Sequence, residues 1–428
     1  MGGTFFTLVD WHLFWQRVFM KEKKIVGPFK QVVTMDKMSL TGALCDKDLH
    51  IIEDAGVLVS EGRIQEIKSW KKLEKEKGFE KEIVGKNCVL LPGLIDSHTH
   101  MCYAGSRVRD YALRTAGVSY LEIAKQGGGI LDTVKKTREA SEEELEQKLT
   151  ERARLHLNQG VTTSEVKSGY GLNVDDELKM LRVINSVDND QAMDLVPTCL
   201  GAHTLPPEFV DHKKYLSYLV QELLPKVKEA GLSKRVDIFV EEGAFCVNDA
   251  KEYLEKAKDM GFEIVIHADQ FSTGASSLAS DIGALSAEHL EASTDKEIEL
   301  LAKNNIVANV LPGASLGLGM GFAPARKLLD QGCSVVISSD WNPGSAPMGN
   351  LLTQAAILGA YEKLSAAEVL AGITYRAAHV LQCGDRGILK KGLLADMIAF
   401  PCADYRSILY RQGQIKPAFV WKKGNREK

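Results

Sequence analysis

The chain has 428 residues, more than one small core requires, so we expect one large domain with a smaller one beside it. Hydrophobic residues make up 45% and charged residues 26%, which excludes a mainly disordered chain. The formal net charge of -4 and the sequence pI of about 6.2 leave no basic excess for phosphates, so nucleic acid is not an expected partner.

The eight cysteines and the N-terminus bear on the compartment. No two cysteines have Cys-x-x-Cys spacing and several lie in apolar stretches, which indicates reduced, mostly buried thiols and a cytoplasmic protein. The aromatic segment from Phe5 to Trp15 lacks a basic start and is interrupted by Asp10 and His12, so we expect no signal peptide. No apolar run reaches about 18 residues, so no membrane contact is expected.

The first ninety residues predict short strands and turns. Apolar, β-rich runs cover 31–35 and 55–59, and Glu61-Gly62-Arg63 predicts a hairpin turn before the alternating run 64–67. From Leu91 the pattern changes, because strand-like runs now alternate with helical periodicity. Strands are predicted over 162–167, 193–200, 236–241, 262–267, 285–288, 306–311 and 334–338, and helices over 142–157, 176–184 and 248–260.

Repeated β-then-α units predict a parallel sheet, and about eight of them before Leu381 predict an α/β fold, a (β/α)8 TIM barrel. A helix is predicted over 366–381, and strands over 395–400 and 417–422. The strand-rich ends are short, so we expect them to pair in a small composite β-sandwich. The predicted division is 1–91 for its N-terminal part, 92–386 for the barrel and 387–428 for its C-terminal part.

Histidines and an aspartate follow the predicted ends of barrel strands. They are His98 and His100, His267, His289 and Asp340. In barrel enzymes such positions face the active site, and residues two apart on a strand point the same way. A lone His-x-His pair is a weak signal, whereas four features in barrel order predict a metal site. The remaining histidines outside this set and His203 are expected to pack or face solvent: 12, 50, 156, 212 and 379.

Neutral imidazoles with one carboxylate suit Zn or Fe, not Ca or Mg. We expect His98, His100, His267 and Asp340 to hold one ion and to leave a position for water, whose pKa such an ion lowers to about 7. Asp340 can both ligate and accept the water proton. His289 can accept it without ligating.

Eight sequence blocks carry a family resemblance that runs from about residue 33 to the end. They are 96–100 with 104–107, 127–130 with 133–138, 165–172, 200–203 with 206–208, 267–269, 288–291, 311–313 and 340–345. With these blocks the sequence resembles the amidohydrolase superfamily and, within it, the imidazolonepropionase family. The block Asp96-Ser97-His98-Thr99-His100 is shared across the superfamily, whereas the triple glycine 127–129, Lys167-Ser168-Gly169-Tyr170-Gly171-Leu172 and Asn342-Pro343-Gly344-Ser345 are specific to this family.

The resemblance implies hydrolysis of the cyclic amide of 4-imidazolone-5-propanoate to N-formimino-L-glutamate, in histidine catabolism. It also implies a single Zn or Fe ion, a homodimer and a small carboxylate-bearing ring as substrate. Arg107 offers a planar fork to the carboxylate. The other residues expected to contact substrate are Tyr170, His203, Gln270, Asn342, Gly344 and Ser345.

Gln270 and the segment 315–319 depart from the family pattern, and Lys167 bears on the number of metal ions. Gln270 stands where some family members have Glu, and Gln can hydrogen-bond substrate but cannot act as a base. The proton-transfer role is therefore expected of His289 or Asp340, with Gln270 as a third residue near the reaction. Lys167 lies in a block that this family carries without a carboxylated lysine bridge, which again predicts one ion. The segment 315–319 replaces one that has an aromatic residue.

Two other functions use the same residues. A deaminase of the same superfamily, acting on a heterocyclic base, would need the same metal site and would release ammonia without opening the ring. A catalytically inactive relative would serve as a scaffold, although such relatives usually lose metal ligands and all four are present here.

Overall fold

The computed structural model describes residues 23–118, 122–123 and 126–428. The interpretation of the aromatic N-terminus and the placement of His12 lie outside the described residues. Two eight-stranded sheets organise the chain, one of them parallel and the other mixed. The strands are β1 Lys23–Val33, β2 Ile51–Ser60, β3 Arg63–Ser69, β4 Glu80–Ile83, β5 Val89–Pro92, β6 Leu94–Asp96, β7 Val161–Lys167, β8 Asp194–Ala202, β9 Arg235–Phe239, β10 Glu263–Ala268, β11 Ser286–His289, β12 Val307–Val310, β13 Val335–Ile337, β14 Met397–Phe400, β15 Phe419–Lys422 and β16 Asn425–Arg426.

Sixteen α-helices lie wholly within the described residues, and most of them follow barrel strands. They are α1 Trp70–Leu73, α2 Val108–Thr115, α3 Ile130–Glu139, α4 Glu142–Asn158, α5 Val174–Asp190, α6 His212–Tyr218, α7 Leu224–Glu229, α8 Val247–Asp259, α9 Ala275–Ile282, α10 Asp295–Lys303, α11 Pro312–Leu318, α12 Ala325–Asp330, α13 Leu351–Glu362, α14 Ala366–Gly372, α15 Tyr375–Val380 and α16 Arg406–Tyr410. A π-helical turn, Leu219–Leu223, joins α6 to α7, and a 3-10 turn covers Asp46–Asp48.

The parallel sheet is the predicted barrel. Its strands pair in chain order from β6 to β13, each parallel to the next. A bridge between Thr99 and Trp341 closes the circle just beyond the ends of β6 and β13. There the Asp340 amide donates to the His98 carbonyl at 3.1 Å, and the His100 amide donates to the Trp341 carbonyl at 2.9 Å. The closure therefore brings the predicted ligands of the first and last strands together.

Amphipathic helices cover the barrel, and α4 shows why. Its buried residues, Leu145, Leu149, Ala153 and His156, recur every three or four positions and form one face. The Ser141 side chain caps the helix by accepting a hydrogen bond from the Glu144 amide. Burial of that apolar face fixes the helix against the strands and leaves the C-terminal strand ends free for the site.

Both chain ends build the second sheet. Its strand order is β16-β15-β14-β5-β1-β2-β3, with β4 beside β1. The β5–β14 pairing, in which Leu91 lies opposite Ile398, joins the N-terminal strands to the C-terminal ones. Its own core includes Phe29 and Trp421, whose ring centroids lie 6.1 Å apart. The predicted fold class, a barrel with a small composite sheet domain from both ends, is confirmed.

One predicted element is wrong in its extent. The helix expected over 366–381 is two helices, α14 and α15, separated by Ile373 and Thr374. The Thr374 hydroxyl donates to the Leu370 carbonyl at 2.5 Å, and the Ile95 amide of β6 donates to the Ile373 carbonyl at 2.9 Å. A barrel strand thus takes a carbonyl that the continuous helix would have used.

The structure tests the prediction that the cysteines are reduced and mostly buried. All eight cysteines, which lie within the described residues, are free. Four are buried, Cys383 and Cys402 are half-buried, and Cys45 and Cys246 are exposed, so full burial holds for half of them. Within the described ranges, none of the helices has the length and apolar character needed to cross a bilayer.

Candidate metal centre

Four buried side chains converge at the C-terminal end of the barrel. His98 and His100 follow β6, His267 lies on β10 and Asp340 follows β13. The Nε2 atom of His100 lies 3.2 Å from that of His98 and 3.3 Å from that of His267. The Oδ1 atom of Asp340 lies 3.4 Å from His98 Nε2 and 3.5 Å from His100 Nε2. The structure therefore brings the four predicted ligands together.

These separations fit a single small metal ion. Four donors at the usual Zn distances of about 2.0–2.1 Å in a tetrahedron lie roughly 3.3–3.4 Å from one another. Four of the six pairwise separations among these donors are 3.2 to 3.5 Å, close to this value. Three imidazole nitrogens and one carboxylate oxygen are also the donor types that Zn and Fe accept.

Burial and neighbouring charges set the protonation of these groups. Burial lowers the pKa of His267 to about 3 and holds that of His100 well below its ordinary value. Burial acts in the same direction on His98, yet the Glu288 and Asp340 carboxylates raise its pKa to about 9. Burial alone would raise the pKa of Asp340, but the hydrogen bond and charge of His98 lower it. Asp340 is thus an anion in the cluster.

Carboxylates orient two of the histidines from behind. Glu288, beside β12 at the end of β11, contacts the Nδ1 atom of His98. Asp237 on β9 lies 2.9 Å from the Nδ1 atom of His267. In the neutral ring each carboxylate favours a proton on Nδ1, which leaves the Nε2 lone pair for a metal. Both carboxylates are buried, as are the rings that they orient.

Lys167 links these carboxylates. Its Nζ atom is buried and lies 2.9 Å from Glu165, 2.9 Å from Asp237 and 3.0 Å from Glu288. Burial alone would lower the pKa of Lys167, but the three carboxylates, Asp237 first, raise it above its usual range. A cationic ammonium has no free lone pair for carboxylation. This supports the prediction that Lys167 does not bridge two ions.

His289 borders the cluster at the end of β11. Its ring centroid lies 5.3 Å from that of His267 and 5.9 Å from that of His98. Its backbone φ is 87° and that of Leu290 is 73°, so two consecutive non-glycine residues adopt left-handed conformations. Such strain costs about 1–3 kcal/mol per residue and is frequent at functional sites.

Arg107 is held at the mouth of the site. Its Nε donates to Asp110 at 2.8 Å, and the same Asp110 oxygen accepts from the Gly129 amide at 2.8 Å. A Cβ on Gly128 would lie 2.4 Å from Asp110, so the triple-glycine loop packs on this carboxylate and has no room for a side chain at Gly128. Gly344 lies against the guanidinium, where its own Cβ would be 2.8 Å from Arg107 Nη1. The site thus presents an oriented, largely buried fork.

Tyr170 and His203 lie between the cluster and Arg107. The His203 ring stacks on His100 with centroids 5.2 Å apart, and that of Tyr170 lies 5.4 Å from His203. Burial, then the charge of Asp340, raises the pKa of Tyr170 above its usual range, so its hydroxyl stays a donor. Burial lowers the pKa of His203 to about 4. Its Nδ1 faces the Gly169 carbonyl at 2.9 Å, which leaves Nε2 as an acceptor.

The loop after Asp340 is ordered by Asn342. Its Oδ1 accepts from the Gly344 amide at 2.7 Å and the Ser345 amide at 2.8 Å. Its Nδ2 donates to the Asp340 carboxylate at 2.9 Å and to the Asp340 carbonyl at 2.7 Å. Asn342 therefore positions Asp340 and the loop through bonds within the loop itself, and its contact with substrate stays a prediction, as does that of Ser345.

Gln270 lies three residues beyond His267 and is buried. The Asp269 backbone before it has a φ of 52°, and the Phe271 amide after it donates to buried Glu241 at 2.8 Å. This turn holds Gln270 at the end of β10, on the rim where the predicted substrate residues lie. The catalytic contribution assigned to it stays a prediction.

A second layer of buried charges surrounds the histidines and is not predicted from the sequence. Glu165, Asp237, Glu288 and Glu291 were not assigned roles, although all four side chains are buried near the histidines. One signal was available. Glu165 and Lys167 are two apart on β7 and so project from the same face, where a barrel strand would otherwise carry apolar residues.

One family model and several curated relatives match this chain. The model of the amidohydrolase family matches residues 89–426, which is more than half of the chain. The chain therefore belongs to the amidohydrolase family. The imidazolonepropionase of Caldanaerobacter subterraneus subsp. tengcongensis is 40% identical over 379 residues, 87% of this chain and 91% of that protein. The imidazolonepropionase of Bdellovibrio bacteriovorus is 39% identical over 386 residues, 89% of this chain and 90% of that protein. Within the family, the chain groups with the imidazolonepropionases.

Solved structures share the architecture at low sequence identity. An adenosine deaminase from Xanthomonas campestris with bound zinc has a TM-score of 0.66 and 18% identity, over 94% of this chain and 92% of its own. Atrazine chlorohydrolase from Arthrobacter aurescens TC1, complexed with zinc, has a TM-score of 0.67 and 18% identity, over 94% of each chain. This likeness shows the fold.

Proposed function

We propose that the chain hydrolyses the ring amide of 4-imidazolone-5-propanoate to N-formimino-L-glutamate, using one Zn or Fe ion held by His98, His100, His267 and Asp340. The observation that carries the proposal is the convergence of three imidazole nitrogens and one carboxylate oxygen beside Tyr170, which feels the charges of both Asp340 and the oriented Arg107 guanidinium. The relatives named imidazolonepropionase support this substrate. A homodimer, the family expectation, belongs to the same proposal.

The pocket residues would bind the substrate at both ends. The Arg107 fork pairs with the propionate, and the Tyr170 hydroxyl adds a donor. Neutral His203 offers Nε2 as an acceptor, so it suits a ring N–H better than a carbonyl. Gly344 and Ser345 complete the loop beside the guanidinium, and Gln270 hydrogen-bonds the ring.

The reaction needs a water, a base and a polarised carbonyl. When bound, a Zn or Fe ion would polarise the amide carbonyl and lower the pKa of water. Asp340 takes the proton of the attacking water, since its carboxylate is anionic and Asn342 fixes it at 2.9 Å. His289 orients the water. As the ring C–N bond breaks, the proton passes to the leaving nitrogen.

A product assay tests the proposal. Purified protein is analysed for metal and incubated with 4-imidazolone-5-propanoate, and the product is identified by mass spectrometry. We expect the gain of one water with ring opening, and no turnover in the Asp340→Asn variant. Full activity in a metal-free His98→Ala, His100→Ala double variant would exclude the mechanism. Ammonia release without ring opening would instead establish a deaminase, and absence of metal and turnover would indicate a scaffold.

A further inference from the structure

Two buried side chains beside the proposed reaction centre, His289 and Glu291, face each other without forming a hydrogen bond. The His289 Nδ1 atom and the Glu291 Oε2 atom are both buried, and neither has a hydrogen-bond partner. The two atoms lie 3.6 Å apart, and the side chains are only 4% and 3% exposed. Orphaned buried polar groups are rare, and two that face each other are each the obvious partner of the other.

Glu291 is held in place from its other oxygen. Its Oε1 accepts a hydrogen bond from the Ser315 hydroxyl on α11 at 2.9 Å. Ser315 is itself buried, so this contact is protected from water. One carboxylate oxygen is thus fixed, while the second remains free to accept from His289.

Strained backbone conformations bring His289 and Glu291 together. The left-handed conformations at His289 and Leu290 reverse the chain direction. The turn is secured by two hydrogen bonds, from the Leu290 amide to the Ala268 carbonyl at 3.0 Å and from the Ala292 amide to the Asp269 carbonyl at 2.8 Å. Strain retained at two consecutive residues points to a geometric requirement at this turn.

The other histidines show what such a carboxylate does. Glu288 faces Nδ1 of His98 and Asp237 faces Nδ1 of His267, and each leaves Nε2 to act in the pocket. Glu291 stands in the same relation to His289. The His289–Glu291 separation of 3.6 Å is longer than the 2.9 Å between His267 and Asp237, so a small movement of either side chain would complete the hydrogen bond.

We infer that Glu291 is a positioning residue for His289: its carboxylate accepts the Nδ1 proton, and thereby presents the Nε2 lone pair of His289 to the reacting water. The inference rests on the proposed function, because it assigns His289 its orientation in that reaction. The Glu291 carboxylate lies 3.6 Å from His289 Nδ1, whereas Gln270 has no carboxylate to offer.

The test is a comparison of Glu291→Gln with a matched control, Glu297→Gln. Glu297 is a buried carboxylate in the first turn of α10, just beyond the β11–α10 connection, and it caps that helix by accepting from the Thr294 amide at 3.1 Å. For Glu291→Gln we expect kcat to fall about 10–100-fold with KM within about two-fold, because the amide can place an N–H against Nδ1 and favour the wrong tautomer. Metal content is expected to equal that of wild type. Glu297→Gln is expected to lower Tm and leave kcat unchanged.

A second measurement separates positioning from general damage. If Glu291 acts through His289, then adding Glu291→Gln to His289→Ala costs no further activity, whereas independent effects would multiply. A kcat within two-fold of wild type in Glu291→Gln, or a loss matched by Glu297→Gln, overturns the inference while the proposed function stands. Failure of the wild-type protein to hydrolyse imidazolonepropanoate overturns the proposed function instead.

Discussion

The Lys167 ammonium lies 3.0 Å from the same Glu288 oxygen that contacts Nδ1 of His98. It lies 2.9 Å from the Asp237 oxygen that faces Nδ1 of His267 at 2.9 Å. One buried cation therefore balances the two carboxylates that orient two predicted metal ligands. Without it, the barrel would hold three clustered anions, Glu165 among them.

Lys167→Met removes that cation. We expect metal affinity to fall about 10–100-fold, because the carboxylates lose their counterion and release the histidines from their orientation. We also expect a loss of about 3–5 kcal/mol in the free energy of unfolding, since uncompensated charges remain buried. Metal retained per folded chain, measured after equilibration with a graded series of chelator concentrations, tests the first expectation.

Lys179→Met is the matched control for Lys167→Met. Lys179 is also largely buried, but its ammonium lies away from the metal centre: it pairs with Asp176 at 2.8 Å and donates to three backbone carbonyls at 2.9 to 3.1 Å. The Lys179→Met variant should have a lower free energy of unfolding and the metal affinity of the wild type. Equal metal retention by Lys167→Met and wild type would show that the orienting carboxylates do not depend on Lys167.

Arg107→Ala is expected to affect substrate binding more than turnover. A hydrogen bond to a charged group contributes about 1.5–3 kcal/mol, so loss of the fork raises KM about 10–100-fold. Arg107→Lys keeps the charge but not the two-pronged geometry and should lie between. Steady-state kinetics with the substrate and with a propyl analogue, which lacks the carboxylate, give the comparison. An Arg107→Ala variant that still prefers the carboxylate by the wild-type factor would refute the assignment.

His156 predicts an acid-dependent loss of stability. Burial lowers its pKa to about 4, while its Nε2 donates to the Gly349 carbonyl at 3.0 Å. The unfolded chain, with an ordinary histidine pKa near 6.5, binds the proton first as pH falls. Stability from this residue is therefore complete above about pH 6.5 and decreases towards pH 4, by about 2 kcal/mol at pH 5.

His156→Gln removes this titration and can keep the bond to Gly349. Denaturant unfolding of both proteins is compared at pH 7 and pH 5. Burial raises the pKa of the neighbouring Asp96, 3.9 Å from His156, to about 7, so Asp96→Asn is placed in both backgrounds to remove its titration. We expect the wild type to lose about 2 kcal/mol more than the variant over this interval. Parallel losses would mean that His156 is not the residue responsible.

The sequence predicted what depends on periodicity and missed what depends on register. The convergence of His98, His267 and Asp340 was predictable because β/α alternation marks strand ends, and strand ends in a barrel share one face. The cage around Lys167 was not, since Asp237 and Glu288 meet it only through the alignment of three separate strands. Glu291 was hidden for another reason. The left-handed backbone at His289 and Leu290 brings Glu291 towards the site, and the sequence gives no sign of a positive φ at residues other than glycine.

Gly317 lies where α11 packs against the loop that follows Asp340. A Cβ at this position on α11 would lie 1.6 Å from the Ser345 carbonyl oxygen, so no side chain fits. Gly317→Ala must push the loop from Asn342 to Ala346 away from the helix and shift Gly344 from Arg107. We expect KM to rise about ten-fold and stability to fall by about 1–3 kcal/mol, as in other overpacked cores. Gly321→Ala is the control, since its Cβ meets open space. Kinetics and thermal unfolding that fail to distinguish the two variants would show that this helix does not set the position of the substrate loop.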